Sequence, residues 1–153
     1  MFVGRKQELA TLERLYRSDA FQMPVVYGRR RVGKTSLIAE FVKGKPVIFF
    51  SARESTAKEN LVALSQAIAD LRLDGTSVAS DTAAPVFASF EEAFTHVFTL
   101  AQQQRIVLVI DEFPYLAQSD RSVSSVLQHL IDHHKENSRL FLILCGSSMS
   151  FME

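Results

Sequence analysis

The apolar residues of this chain follow two patterns. In the first they recur at spacings of three and four, the repeat of a helix with one buried stripe. Leu9, Leu12, Leu15 and Tyr16 predict a helix over 6–17, and Leu37, Ile38, Phe41 and Val42 predict one over 34–42. Leu61, Leu64, Ile68 and Leu71 mark 57–71, and Phe94, Val97, Phe98 and Ala101 mark 90–104. Val123, Val126, Leu127, Leu130 and Ile131 mark 122–135. In the second pattern short apolar runs are unbroken: 25–27, 47–50, 106–110 and 140–145. Unbroken runs of this length predict strands covered on both faces, as in a parallel sheet between helices. Helices alternating with such strands predict the α/β class, a three-layer α/β/α core around a parallel sheet.

Gly44 and Pro46 close the second helix. Residues 74–89 are rich in Gly, Ser, Thr, Ala and Asp and predict a long surface loop. No repeat or low-complexity linker divides the chain, so residues 1–153 read as one domain.

Composition adds limits. Lys plus Arg equals Asp plus Glu at 17 each, so global basicity gives no argument for nucleic acid. The 47% apolar fraction excludes a disordered chain. The single cysteine, Cys145, reads as a small buried strand residue and suits a reducing compartment. The apolar runs are far shorter than the roughly 20 residues of a membrane span. With charge at Arg5 and Lys6, where a signal peptide needs an apolar stretch, the reading is cytoplasmic, with no membrane.

The chemistry concentrates after the first strand. Gly28-Arg29-Arg30-Arg31-Val32-Gly33-Lys34-Thr35 matches G-x-x-x-x-G-K-[ST] between a strand and a helix. Glycines let the loop curl until its N–H groups converge on an anion, and the helix dipole points the same way. Lys34 would reach the β- and γ-phosphates and Thr35 would hold Mg²⁺, with Ser36 next in the binding set. Arg29, Arg30 and Arg31 need contribute only backbone amides; their side chains read equally well as solvated.

The strand 106–110 runs straight into Asp111 and Glu112. Acids at the carboxyl end of a parallel strand stand where ligands bind in open α/β folds. Asp111 would hold Mg²⁺, and Glu112 would deprotonate a water for attack on the γ-phosphate. A water-activating acid favours hydrolysis over transfer to an acceptor. The absence of Asn-Lys-x-Asp favours ATP over GTP. The last strand ends in Gly146-Ser147-Ser148, where a hydroxyl would touch phosphate or water, or the triplet is a plain turn.

Together these elements resemble the P-loop ATPases with an additional catalytic glutamate, the division holding the AAA+ and STAND groups. Phe2-Val3-Gly4-Arg5, the segment 25–35, Val109 to Leu116 and Cys145 to Glu153 are similar to an archaeal-type ATPase domain of that division. The resemblance implies Gly4 and Arg5 near the adenine and either Ser147 or Ser148 as the polar sensor. It implies a strand order 5-1-4-3-2, a helical lid and, in many members, a nuclease-like domain beyond Glu153. The expectation is therefore an N-terminal piece of an ATPase, its phosphate-loop strand at a sheet edge open to self-association. A nucleotide-dependent switch with little turnover is the alternative. A role in DNA processing would rest on the downstream domain alone.

Other residues carry bland expectations. His129 and His133 share a helix face but lack the Glu of a zinc-protease helix, so they read as solvated or core-edge. The 12 phenylalanines read as core. Lys43, Lys45 and Arg53 read as solvated flanks of the second strand.

Overall fold

The computed structural model describes residues 2–27, 34–71 and 85–146, with side chains for 6–26, 36–71 and 85–146. In chain order the elements are α1 (Phe2–Arg17), β1 (Val25–Tyr27), α2 (Lys34–Val42), β2 (Val47–Ser51), α3 (Ala57–Ala69), α4 (Phe90–Gln103), β3 (Ile106–Asp111), α5 (Phe113–Ser119), α6 (Val123–His134) and β4 (Leu140–Gly146). The four strands form one parallel sheet in the order β1-β4-β3-β2. That is the expected order without a fifth strand, and β1 has an open edge among the described residues.

The strand interiors explain the unbroken apolar runs. Successive side chains of a strand point to opposite faces. Ile48, Phe50, Leu108, Ile110, Leu140 and Leu142 join one core with residues of α3, α4, α5 and α6. Val47, Val107, Val109, Phe141, Ile143 and Cys145 join a second with residues of α1 and α2. Both faces are covered, so both alternating sets are apolar, and the three layers are those the sequence predicts.

Helix boundaries have physical markers. Thr56 caps α3 by accepting from the Glu59 N–H at 3.1 Å, and Ser89 caps α4 by accepting from the Glu92 N–H at 3.1 Å. Residues 85–89 are irregular, as expected for the end of the 74–89 loop; the part within 72–84 lies outside the described residues. α1 starts at Phe2 rather than residue 6. Gly4 lies within its first turn.

Helix α5 was not anticipated. Its seven residues are too few for a periodic signal, and Pro114 reads as a breaker. Pro114 instead sits in the first turn, where proline is tolerated, while Phe113 and Leu116 are buried.

Lys45 also departs from the reading as a solvated residue. Its side chain is only 12% exposed. Gly44 takes φ +76°, which turns the chain back at the end of α2. Lys45 Nζ then donates to the Phe41 carbonyl and to Glu13 Oε2 (3.0 Å) and lies 4.3 Å from the Phe41 ring centre. Lys43 and Arg53 are exposed, as expected.

At the amino edge of the sheet, Arg105 donates to the carbonyls of Leu15, Tyr16, Ala20 and Arg139. It joins the end of α1 to the starts of β3 and β4.

Candidate functional site

The carboxyl edge collects the chemically marked residues. Tyr27, the last residue of β1, pairs with Gly146, the last of β4. Ile110 of β3 pairs with Leu144 of β4, and Asp111 pairs with Ser51 of β2. The end of β4 therefore lies between the strand that leads into residues 28–33 and the strand that carries Asp111. Lys34 and Thr35 form the first turn of α2. The fold thus delivers the start of α2, Gly146 and the acidic pair to one edge.

Asp111 and Glu112 are half-buried. The Asp111 carbonyl accepts from the Ala52 N–H at 2.9 Å, and its Oδ1 accepts from the Glu112 N–H at 3.0 Å. Glu112 adopts φ 55°, ψ 47°, the left-handed region, and immediately precedes α5. For a side-chain-bearing residue this conformation costs roughly 1–2 kcal/mol. The burial of Phe113 and Leu116 anchors α5 and holds the turn closed. Such local strain concentrates at functional sites.

The loop from β2 to α3 lies on the same edge. Asn60, 1% exposed, accepts from the Arg53 N–H at 3.0 Å and donates from Nδ2 to the Arg53 carbonyl at 3.1 Å. Glu59 accepts from the hydroxyls of Ser55 (2.5 Å) and Thr56 (3.2 Å). These hydrogen bonds, the Ser55 one foremost, hold the Glu59 carboxyl below its ordinary pKa. The sequence reading missed Asn60; its only signal was a polar residue beside the apolar stripe of α3.

Several expected site residues carry no side-chain description. Gly28, Arg29, Arg30, Arg31, Val32, Gly33 and Ser147 lie outside the described residues. For Gly4, Arg5, Lys34 and Thr35 the backbone is described and is helical. Ser36 is exposed on α2. A groove of about 450 Å³ opens between α1 and the edge strand, lined by Gln7, Glu8, Thr11, Leu12, Pro24 and Val25 among others.

His129 and His133 are exposed on α6, their ring centres 5.9 Å apart. Among the described residues no group of three or more His, Cys, Asp or Glu side chains is arranged to hold a metal ion. No described helix is long and apolar enough to cross a membrane.

A parallel sheet in the order β1-β4-β3-β2 between two layers of helices, with Asp111 and Glu112 at its carboxyl edge, defines the class by fold: a three-layer α/β/α domain of the kind found in the solved ATPases named below. The chain belongs to the family described as an ATPase domain predominantly from Archaea, whose pattern it matches over residues 2–153.

Among relatives, it is 31% identical over 152 residues to the uncharacterized protein MJECL04 of Methanocaldococcus jannaschii, covering 99% of this chain and 31% of that protein. It is 49% identical over 47 residues to the uncharacterized ATP-binding protein MJ0423 of the same organism, covering 31% of this chain and 80% of that one. Among solved structures it is similar to the Walker-type ATPase paby2304 of Pyrococcus abyssi, with a TM-score of 0.67, 20% identity, and coverage of 96% of this chain and 46% of that one. It is also similar to Cdc6p from Pyrobaculum aerophilum, with a TM-score of 0.63, 14% identity, and coverage of 97% and 40%. The chain thus spans less than half the length of MJECL04 and of both solved proteins.

Proposed function

We propose that the chain binds ATP with Mg²⁺ at the carboxyl edge of its sheet and hydrolyses the β–γ bond. The observation that carries this reading is one of placement. The end of β1, Tyr27, which leads directly into the G-x-x-x-x-G-K-[ST] sequence, and the end of β3, which carries Asp111 and leads into Glu112, reach the same edge on either side of the end of β4. Family membership supports it independently.

In this reading the N–H groups of residues 28–33, the start of α2 and Lys34 hold the phosphates, and Gly4 and Arg5 lie near the adenine. Thr35 and Asp111 hold Mg²⁺. A half-buried carboxylate and a hydroxyl are the oxygen donors that this cation takes. When bound, Mg²⁺ offsets the charge of the phosphate oxygens. Glu112 accepts a proton from water as its oxygen attacks the γ-phosphorus. The bond to the β–γ bridging oxygen breaks, releasing ADP and phosphate. Ser147 orients the water or the γ-phosphate.

The test combines Mg-ATP thermal shift with turnover. A ligand that binds only the folded state raises the melting temperature. Wild type should shift, Lys34→Ala should not, and Glu112→Gln should shift while losing hydrolysis. A cooperative melt that ATP leaves unmoved overturns the site.

A second reading is a nucleotide-dependent switch with little turnover, in which a charge that completes the site comes from outside residues 1–153. An arginine supplied from elsewhere is worth about 10³–10⁵ in the rate of such enzymes. In that case Glu112→Gln would match an already negligible wild-type rate. The open edge of β1 and its groove also suit self-association by strand addition, which sedimentation would read directly.

A further inference from the structure

Asn60, Ser65 and Ser138 are the buried polar residues among those described. A buried amide is costly unless hydrogen-bonded. Both side-chain hydrogen bonds of Asn60 go to the backbone of one residue, Arg53. The preceding residue is tied as well, since the Ala52 N–H donates to the Asp111 carbonyl. Arg53 is therefore held from α3, and its neighbour Ala52 from β3. It stands two residues beyond Ser51, which pairs with Asp111. The Thr56 cap with its Glu59 and Ser55 contacts fixes the next turn of chain.

This scaffold presents an exposed guanidinium. Among the described residues no carboxylate pairs with it, although Glu59 feels its charge. Neighbouring strands lie about 4.8 Å apart, less than the length of an extended arginine side chain. An extended arginine side chain starting two residues beyond Ser51 is therefore long enough to span to the end of β3, where Asp111 and Glu112 stand. A phosphate bound at that edge would stand within that span.

We propose that Arg53 binds the terminal phosphate of the nucleotide from the β2 side, and that Asn60 is its positioning residue. This rests on reading the edge as an ATP site. A guanidinium forks onto two phosphate oxygens, so it distinguishes a γ-phosphate from its absence. Arg53 then separates ATP from ADP, while Lys34 serves both.

The experiment measures Mg-ATP and Mg-ADP affinity for the 153-residue chain in wild type, Arg53→Ala, Arg53→Lys, Asn60→Asp and Lys34→Ala. Arg53 is exposed, so its variants fold. Arg53→Ala should weaken ATP by about 10-fold or more and leave ADP unchanged, because a hydrogen-bonded charge pair is lost. Arg53→Lys should recover part of the loss as a point charge. Asn60→Asp keeps the acceptor but loses the donor, and should shift the ATP-to-ADP ratio in the same direction as Arg53→Ala. Equal weakening of ATP and ADP by Arg53→Ala overturns the assignment, and so does no weakening of either while Lys34→Ala still abolishes binding. If Lys34→Ala leaves binding intact, the nucleotide site itself fails and this assignment falls with it.

Discussion

Arg105 donates to the Tyr16 carbonyl at 3.1 Å and holds its guanidinium carbon 5.1 Å from the centre of the Tyr16 ring. The same side chain serves Leu15, Ala20 and Arg139 and lies 5.2 Å from the ring centre of Phe141. One cation thereby satisfies the end of α1 and the entries of two strands, at the edge opposite the candidate site. Burial lowers its pKa from the ordinary arginine value. Arg105→Ala should destabilise the fold by roughly 2 kcal/mol, since several carbonyls lose a charged donor. Arg105→Lys should recover little, because an ammonium cannot match the fork. Denaturant unfolding measures both.

Lys43 and Lys45 make a matched contrast. The Lys43–Glu40 pair is exposed at 72% and 56%, whereas the Lys45 side chain is 12% exposed and packs on the Phe41 ring. Exposed pairs contribute little, so Lys43→Ala should cost under about 0.5 kcal/mol. Lys45→Ala loses its packed stem together with its hydrogen bonds and should cost about 1–2 kcal/mol. Melting temperatures of the two variants, compared side by side, check the ranking.

Glu112 supplies a test of strain against function. Glycine adopts its left-handed conformation without penalty. Glu112→Gly should therefore leave the protein as stable as wild type or up to about 1 kcal/mol more so, while removing the proposed base. Loss of stability by 1 kcal/mol or more in denaturant unfolding would show that the conformation is not strained.

His134 makes stability depend on pH. Its ring stacks on Phe98 at 5.4 Å, and burial, then the charges of His133 and His129, depress its pKa below the ordinary 6.5. The unfolded chain then binds the proton more readily than the native one. Stability from this group is complete above about pH 6.5 and is lost as the pH falls through the depressed value. His134→Gln should flatten that slope. Urea unfolding between pH 5 and 8 measures it.

Much of this was legible along the chain. The four unbroken apolar runs became the four parallel strands, each end within one residue of the reading. They were legible because burial on both faces leaves no polar position in a strand interior. The G-x-x-x-x-G-K-[ST] sequence and the Asp111-Glu112 pair stand out as candidate site residues because the chemistry proposed for them demands fixed residue types at fixed spacing.

Other features were decided only in three dimensions. Helix α5 depends on Phe113 and Leu116 finding the core, which seven residues with a proline do not announce. Lys45 and Arg105 look like surface cations until the chain reversal at Gly44 and the convergence of α1, β3 and β4 surround them with carbonyls and rings. The left-handed turn at Glu112 and the grip of Asn60 on Arg53 likewise have no local signature. Local pattern is set by which faces are buried, and a sequence records that directly. A polar side chain's partner depends on which distant backbone arrives beside it, and only the assembled sheet and helices decide that.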